Sequence, residues 1–316
     1  MKVLVTGAAG FVGRNLVEKL STLDFEIIAI DALDSTLYST KIKKFNLDTI
    51  SKLRGVTCFV VDLAIDDIPN VALNCDVVVN LAALPGQLLS WDFGPEYNKS
   101  NYLTVSNLLT QYARIGKFPK WIQASTSSVY GKEATQGESG ECIPCNPYGV
   151  TKLAAEKQLQ AYSQYFDFQY VILRYFSLYG PFQRPDMAIS KFFKSIDSGD
   201  AITIYGDGLQ TRDLTFISDA IDATYLAMTN QTCQNEILNV SGGGIYTALE
   251  IAEACFEISQ KQTSLEFVKR PIGDQLNTHG KSDKSRELLG FSPRVNLYQG
   301  LESQWRNYLY LKTTLK

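Results

Sequence analysis

The chain has 316 residues, 45% of them hydrophobic and 20% charged, which is the composition of an ordinary globular protein with one large or two medium domains. The net charge of −3 and the isoelectric point near 5.4 offer no basic surface for nucleic acid or for an anionic membrane. No signal peptide and no bilayer-spanning apolar run is visible, and six cysteines make no disulfide framework in a chain of this length, so we expect a cytoplasmic protein.

The chain opens with a predicted buried strand at 2–6, followed by a glycine-rich turn and a helical pattern. The turn reads TGAAGFVG and spaces Gly7, Gly10 and Gly13 three residues apart. Glycines in this context let the backbone approach a pyrophosphate at the helix N-terminus. The alternative is a purely structural glycine turn.

The second predicted strand, 26–30, ends in Asp31. A carboxylate at this point can accept hydrogen bonds from an adenosine ribose and would repel a 2′-phosphate. No arginine follows to bind such a phosphate, so the sequence favours NAD over NADP. The connection that comes next is polar, and we interpret its lysines, Lys41, Lys43 and Lys44, as a solvated face.

Strands and helices alternate up to about residue 175. This alternation predicts an α/β fold with a doubly wound parallel (Rossmann) sheet. The third strand leads to Asp62 and Leu63, which could border an adenine. The fourth ends in Ala82 and Ala83, whose small side chains suit the ligand crevice of such a sheet. The later predicted strands are 56–61, 76–81, 121–124 and 170–175, and a long helix is predicted at about 97–115.

Hydroxyl side chains follow the fifth strand in the segment STSSVYG at 125–131. They lie on the same side of the predicted sheet as the glycine turn. We expect Thr126 to share the proton of a substrate hydroxyl with Tyr148. The alternative is a hydroxyl-rich loop that satisfies its own backbone.

A helix is predicted to begin near Tyr148, because Pro147 restricts the residue before it and good helix formers follow. Tyr148 and Lys152 then lie one turn apart on one face. A neighbouring ammonium favours the phenolate, which could take a proton from a sugar hydroxyl. Such a pair is weak evidence alone, since about one is expected by chance and Tyr308 and Lys312 form another in the tail.

Cys142 and Cys145 form a Cys-x-x-Cys pair, which is typical of zinc or redox sites. The sequence has no second such pair, and its one histidine is His279. We therefore interpret both cysteines as loop residues and predict no metal site.

The proline- and glycine-rich segment 177–188 stops the alternation, and we expect a second, smaller, mixed α/β substrate lobe to begin there. A short strand is predicted at 201–205, and the chain is predicted to return to the large sheet from about 211. The predicted later elements are a helix at 219–228, a strand at 236–240 and mostly helix from 246. The predicted domains are an NAD-binding Rossmann domain at 1–176, rejoined by about 211–245, and a substrate lobe at 177–210 and 246–316.

Together these segments resemble the extended short-chain dehydrogenases/reductases that act on nucleotide-sugars. The resemblance covers nearly the whole chain and is carried, in order, by TGAAGFVG, Asp31, NLAA, STSSVYG, NPYGVTK, RYFSLYGP, GDGLQTRD and RPIGD. Within that family, YGPFQRPDMA and STSSVYG are most similar to bacterial UDP-glucuronate 4-epimerases.

The resemblance implies a role for each matching residue. Thr126, Tyr148 and Lys152 match the catalytic triad, and Lys152 also matches a contact to the NAD ribose. The implied NAD contacts, besides Tyr148 and Lys152, are Gly7, Gly10, Phe11, Val12, Gly13, Asp31, Asp62, Leu63, Leu81, Ala82 and Ala83. The implied substrate contacts are Arg212 and Arg270 for the diphosphate, Asp274 for the ribose, Ile204 and Tyr205 for uracil, and Ser127, Ser128, Ser177 and Arg184 for the sugar carboxylate.

The resemblance also implies a mechanism and a substrate. The implied reaction inverts C4 of a UDP-sugar through a 4-keto intermediate, with NAD held as a tightly bound cofactor. Ser127 and Ser128 stand where dehydratases usually carry an Asp-Glu pair and decarboxylases a Glu, which favours simple epimerisation.

Gln87 and Leu88, however, replace a Val-Arg pair that is common in glucuronate epimerases. A neutral UDP-hexose or UDP-N-acetylhexosamine substrate and a UDP-glucuronate decarboxylase are therefore alternatives. A non-catalytic NAD sensor is an alternative of another class, although such proteins typically lack the Tyr-Lys pair that is present here.

Many members of the resembled family are homodimers that pair two long helices of each subunit into a four-helix bundle. The corresponding helices here are predicted near 97–115 and 148–165. Their apolar residues could supply the interface or face the sheet, and the sequence leaves both open. These residues are Leu108, Leu109, Tyr112, Leu159, Tyr162 and Phe166.

Overall fold

The computed structural model describes residues 1–315 of the chain. The strands are β1 (Lys2–Thr6), β2 (Glu26–Asp31), β3 (Val56–Val60), β4 (Val77–Asn80), β5 (Lys120–Thr126), β6 (Glu133–Ala134), β7 (Tyr170–Tyr175), β8 (Ser177–Tyr179), β9 (Ile202–Tyr205), β10 (Thr211–Phe216), β11 (Glu236–Val240), β12 (Gly244–Thr247), β13 (Leu265–Val268) and β14 (Asn277–Thr278). The α-helices are α1 (Phe11–Ser21), α2 (Thr40–Ser51), α3 (Gly94–Asn98), α4 (Thr104–Ile115), α5 (Pro147–Phe166), α6 (Ala188–Ser198), α7 (Ile217–Thr229), α8 (Ala248–Ser259), α9 (Asp283–Leu289) and α10 (Leu297–Thr314).

A seven-stranded sheet forms the centre of the molecule, in the order β11-β7-β5-β4-β1-β2-β3, and every neighbouring pair is parallel. The sequence of strand β1 is a continuous apolar run because both faces of the strand are buried. Val3, Leu4 and Val5 are fully buried, with alternate residues in the apolar clusters on the two faces of the sheet. The predicted doubly wound fold is confirmed.

The strand order reverses at β1, which lies between β2 and β4. Open α/β sheets bind their ligands in the crevice at such a switch point, beyond the carboxyl ends of the strands. The glycine turn follows β1, and the segment 81–83 follows β4. Both segments therefore border the crevice.

The smaller lobe contains a five-stranded sheet, β12-β10-β14-β6 with β8 beside β10, and a separate pair, β13-β9. Its strands pair in both senses, since β12 is antiparallel to β10 while the other pairs are parallel. The chain was predicted to return to the large sheet at about residue 211. This is wrong for strand β10, because 211–216 pairs within the smaller lobe. The return is made instead by α7 and β11, at 217–229 and 236–240.

The predicted helix at 97–115 is interrupted. A π-turn at Lys99–Leu103 separates α3 from α4 and places Asn101 inside the protein. The Asn101 side chain accepts a hydrogen bond from the Leu84 amide at 2.7 Å and donates to the Thr151 hydroxyl at 3.0 Å. The π-turn thus joins the loop after β4 to helix α5.

Helix α5 begins at Pro147, as the sequence predicts. Asn146 caps it by accepting a hydrogen bond from the Gly149 amide at 2.9 Å. Proline suits the first helical position because its missing N–H would have no partner there. This cap fixes the start of α5, and with it the position of Tyr148 and Lys152.

Four of the six apolar residues considered for a subunit interface face the large sheet. Leu108, Leu109, Tyr112 and Leu159 are fully buried in one cluster with Trp121. Tyr162 packs against the same cluster, and Phe166 is partly exposed. The first four are core residues of the protein.

Candidate active site

A cavity of about 540 Å³ opens at the switch point of the large sheet, and a second of about 520 Å³ continues from it into the smaller lobe. The two share a wall that includes Leu88, Ser177, Asp186 and Lys191. The first cavity is lined by these predicted residues: Gly7, Gly10, Phe11, Val12, Gly13, Asp31, Leu81, Ala83, Thr126, Ser127, Ser128, Tyr148, Lys152, Ser177, Arg184 and Tyr205.

The glycine turn leaves no room for side chains. Gly7 has φ +65°, and a Cβ there would lie 2.8 Å from the Ala82 nitrogen; a Cβ on Gly13 would lie 2.2 Å from the Gly7 carbonyl oxygen. Gly10 precedes α1 and gives it no side-chain cap. No side chain therefore occupies the N-terminus of α1, and its first N–H groups remain available to a pyrophosphate.

Asp31 is buried at the end of β2. One of its carboxylate oxygens accepts a hydrogen bond from the Ala9 amide at 2.9 Å, and the other accepts from the Leu33 amide at 2.8 Å. Each oxygen keeps a lone pair for a ribose hydroxyl. Burial raises the pKa of Asp31, and the charge of Lys43 acts against this rise.

Lys43 corrects a prediction. It was expected on a solvated face with Lys41 and Lys44, but it is half-buried, lines the cavity and acts electrostatically on Asp31. The reason is that α2 turns one face toward the cavity, and Lys43 lies on that face.

Asp62 and Leu63 line a recess of about 70 Å³ beside Asp31, together with Ala82 and Ala83. Asp62 forms an ion pair with Lys99 at 2.7 Å, from the π-turn. The recess lies where the sequence predicted the adenine end of the cofactor.

Thr126, Tyr148 and Lys152 come together as predicted, Thr126 from the end of β5 and the other two from the first turns of α5. All three are buried. Burial raises the pKa of Tyr148, and the neighbouring Thr126 side chain and the charge of Arg184 oppose the rise. Burial lowers the pKa of Lys152 to about 8, and the Glu156 carboxylate one turn further along α5 opposes that fall.

Arg184 reaches the same cavity from the segment after β8. It forms two hydrogen bonds with the Asp186 carboxylate, at 3.0 and 2.7 Å. Burial works to lower the pKa of Arg184, but the bonds to Asp186 outweigh it and the pKa is raised. The guanidinium is therefore a permanent cation whose charge is shared with one carboxylate.

The second cavity is lined by Ile204, Tyr205, Arg212 and Asp274, all predicted substrate contacts. Arg212 and Asp274 form an ion pair at 2.7 Å. Burial lowers the pKa of Arg212, while Asp274 raises it. Two arginines were predicted here, and only Arg212 borders the cavity.

Arg270 does not line the second cavity but contacts a residue that does. Its Nη2 donates to the Gln210 side chain at 3.2 Å and lies 3.6 Å from the Asp207 carboxylate. Gln210 itself lines the cavity. The Nε of Arg270 is buried and has no hydrogen-bond partner within residues 1–315. A buried, unsatisfied guanidinium nitrogen fits an anion that is not part of the chain.

Several lining residues were missed by the sequence analysis. Gln87 was noted only as a replacement for a residue common in the family, and Gln275 directly follows the RPIGD segment without having been assigned a role. Asp186 stands two residues beyond Arg184, where its charge could have signalled a partner. Leu37, Tyr38, Lys43 and Lys191 line the cavity as well and were not predicted to do so.

The described part of the chain contains no group of three or more metal-ligating side chains placed to hold an ion. Cys142 and Cys145 are both free thiols, and burial raises the pKa of each. A raised pKa lowers the thiolate fraction and hence the reactivity. Among residues 1–315, no helix is long and apolar enough to cross a membrane.

A parallel Rossmann sheet, a glycine cradle with an acidic residue after β2, and a buried Thr-Tyr-Lys group at the carboxyl ends of the strands define an enzyme of the short-chain dehydrogenase/reductase class. The Tyr-Lys pair lies within the cavity that the cradle borders.

A sequence profile of the NAD dependent epimerase/dehydratase family matches residues 3–241, and the chain belongs to that family. The uncharacterized UDP-glucose epimerase YtcB of Bacillus subtilis (strain 168) is 36% identical over 309 residues, which are 96% of this chain and 96% of that protein. The UDP-glucuronate 4-epimerase of Thermodesulfobacterium geofontis (strain OPF15) is 30% identical and covers 95% of this chain and 93% of its own length. The crystal structure of UDP-glucuronic acid 4-epimerase from Bacillus cereus, in complex with UDP-glucuronic acid and NAD, matches with a TM-score of 0.94 and 36% identity, over 98% of this chain and 100% of that one.

Proposed function

We propose that the protein is an NAD-dependent 4-epimerase that interconverts UDP-glucuronate and UDP-galacturonate through a 4-keto sugar. The observation that carries this proposal is one continuous space that joins a dinucleotide cradle, a buried Tyr148–Lys152 pair, a cationic Arg184 and a second cavity with Arg212. This sequence of sites matches the groups of NAD and a UDP-uronate bound next to each other: the NAD pyrophosphate, the reacting sugar, the sugar carboxylate and the UDP diphosphate.

NAD fits the residues present, because the turn at 7–13 is open to a pyrophosphate and Asp31 keeps acceptors for ribose hydroxyls. When bound, NAD supplies reversible hydride exchange with the sugar C4. We assign the turn, Asp31 and the recess at Asp62 to its binding.

Tyr148, as phenolate, removes the proton from the sugar O4 and returns it after the 4-keto sugar has presented its other face. Lys152 stabilises the phenolate by its charge, and the neighbouring Thr126 side chain opposes the rise that burial causes in the pKa of Tyr148. Arg212 and Arg270 bind the diphosphate, and Ile204 and Tyr205 border the base.

The carboxylate of a 4-keto uronate must be held, since a β-keto acid loses carbon dioxide when its carboxylate can rotate. Arg184 supplies charge for this, and Ser127, Ser128 and Ser177 supply hydroxyl donors beside it. A neutral UDP-hexose is the second candidate, because Leu88 borders both cavities and adds no charge at a point near the sugar.

We also propose a cytoplasmic homodimer. All six cysteines within residues 1–315 are free thiols, as expected in a reducing compartment. Exposed apolar side chains support pairing through α5 and the π-turn, because Val150 is 53% exposed and Leu103 45%. We retain the two predicted domains as a proposal, with 211–216 assigned to the smaller lobe.

The deciding experiment is incubation of the purified protein with UDP-glucuronate and no added NAD, with products resolved by chromatography and proton NMR. UDP-galacturonate is the expected product. A UDP-pentose with released carbon dioxide would establish a decarboxylase instead. Turnover of UDP-glucose or UDP-N-acetylglucosamine alone would establish a neutral-sugar epimerase.

A further inference from the structure

Gln87 and Gln275 form a side-chain bridge between the two lobes, at the wall of the first cavity. Gln87 lies in the loop after β4, and Gln275 lies just before β14, 188 residues later in the chain. The Gln87 Nε2 donates to the Gln275 Oε1 at 2.7 Å. Both residues line the cavity that holds Tyr148 and Arg184.

The backbone fixes the direction of this bridge. The Gln275 Nε2 donates to the carbonyl oxygens of Ser127 and Gly131, at 3.3 and 2.8 Å, and a carbonyl can only accept. The Gln275 backbone N–H donates to the Gln87 Oε1 at 3.3 Å, and an N–H can only donate. Each amide therefore has one possible orientation, and the Gln87 Nε2 is held as a donor.

Ser128 receives that donor. The Gln87 Nε2 donates to the Ser128 Oγ at 3.0 Å, and the Thr126 hydroxyl donates to the same oxygen at 3.2 Å. A serine hydroxyl has two lone pairs and one proton. With both lone pairs occupied by Gln87 and Thr126, the proton of Ser128 is left for an acceptor in the cavity.

The Ser128 donor is important for binding a substrate carboxylate, because little unpaired positive charge lies near it. Arg184 shares its charge with Asp186 through two hydrogen bonds, and Leu88 brings none. A hydroxyl that is prevented from acting as an acceptor presents only its positive end to an anion. A sugar hydroxymethyl group gains less from this, since it can donate as well as accept.

We propose that Gln87 is a specificity-determining positioning residue, which fixes the Ser128 hydroxyl as a donor to the carboxylate of the substrate. This inference rests on the proposed function and names the group that selects a uronate over a neutral sugar. Gln87 acts through Ser128, and Gln275 orients Gln87.

The test compares kcat/KM for UDP-glucuronate and UDP-glucose in the wild type and in Gln87→Met, which keeps the side-chain length and removes both donors. The ratio of the two values is independent of the fraction of folded enzyme. Gln234→Met is the matched control, because Gln234 is exposed in the loop before β11, at the amino ends of the strands and away from the cavity. A third variant, Gln87→Glu, replaces the donor with an acceptor and adds a negative charge.

For Gln87→Met we expect the uronate-to-glucose ratio to fall about tenfold, mainly through a higher KM for UDP-glucuronate, since hydrogen bonds to charged groups are stronger than neutral ones. For Gln87→Glu we expect a fall of about a hundredfold or more. For Gln234→Met we expect the wild-type ratio.

An unchanged ratio in both Gln87 variants overturns the inference, whether the absolute rates fall or not, and leaves the proposed function intact. A wild type that turns over UDP-glucose and not UDP-glucuronate overturns the proposed function first, before any variant is made.

Discussion

Lys152 lies buried one turn from Tyr148, and its charge sets the pH range of the proposed reaction. Burial lowers the pKa of Lys152 to about 8, and Glu156 opposes the fall. Glu156 is itself fully buried and is held by two bonds from Arg174, at 3.0 and 2.7 Å, and by the Ser125 hydroxyl. The ammonium is the form that stabilises the phenolate, and it is lost as the pH rises through the pKa.

We therefore expect activity to fall above about pH 8, and Glu156→Gln to move this alkaline limb to lower pH. The direction follows because Glu156 raises the pKa of Lys152, and because Arg174, left unpaired, lowers it further. Rate profiles against pH measure the shift. Glu287→Gln, at an exposed residue of α9, is the control. A limb that stays in place would show that Glu156 does not act on Lys152.

Tyr148→Phe removes the phenol oxygen and keeps the ring. The ring packs edge-on against Tyr97 with centroids 6.2 Å apart, so the fold should be retained. We expect kcat to fall by about 10² to 10⁴, the usual contribution of a general base. Single-turnover assays with UDP-glucuronate measure the fall, and circular dichroism checks the fold. A variant with near wild-type kcat would exclude Tyr148 as the base.

At the scale of elements, the turn between β1 and α1 depends on the absence of side chains. A Cβ on Gly13 would lie 2.2 Å from the Gly7 carbonyl oxygen, which forces the turn to move. We expect Gly13→Ala to purify with at least about tenfold less NAD, measured after heat release of nucleotide. Gly94→Ala is the control, because a Cβ there meets nothing within 4 Å. Full NAD content in Gly13→Ala would contradict the cradle.

The elements that could be predicted from sequence are those with a strong local signal. The apolar run at β1 and the proline at the start of α5 both gave the correct element. Strands such as β6 and β14, with two residues each, are too short to show any periodicity. Site residues, likewise, could be predicted only where a local sequence motif marks them. Tyr148 and Lys152 stand within one motif, whereas Gln87 and Gln275 meet only through the tertiary fold.

At the scale of the whole molecule, the second cavity couples ligand binding to stability. UDP at about a hundred times its Kd should raise the free energy of unfolding by about 2.7 kcal/mol, because it binds only the folded chain. Arg270→Ala should reduce this gain by about 1.4 kcal/mol if the affinity falls tenfold. Thermal unfolding with and without UDP measures both. Arg286→Ala, at an exposed position, should keep the full gain. An equal gain in Arg270→Ala would place the diphosphate elsewhere.

Strand β11 completes the large sheet beside β7, although β8, β9 and β10 of the smaller lobe come between them in the chain. During synthesis, β7 is therefore an unprotected sheet edge until residue 240 has left the ribosome, and by then strands β8, β9 and β10 of the smaller lobe have also emerged. Exposed edges of this kind favour aggregation. The two lobes must consequently mature together, and a fragment cut between β7 and β11 would expose the edge permanently.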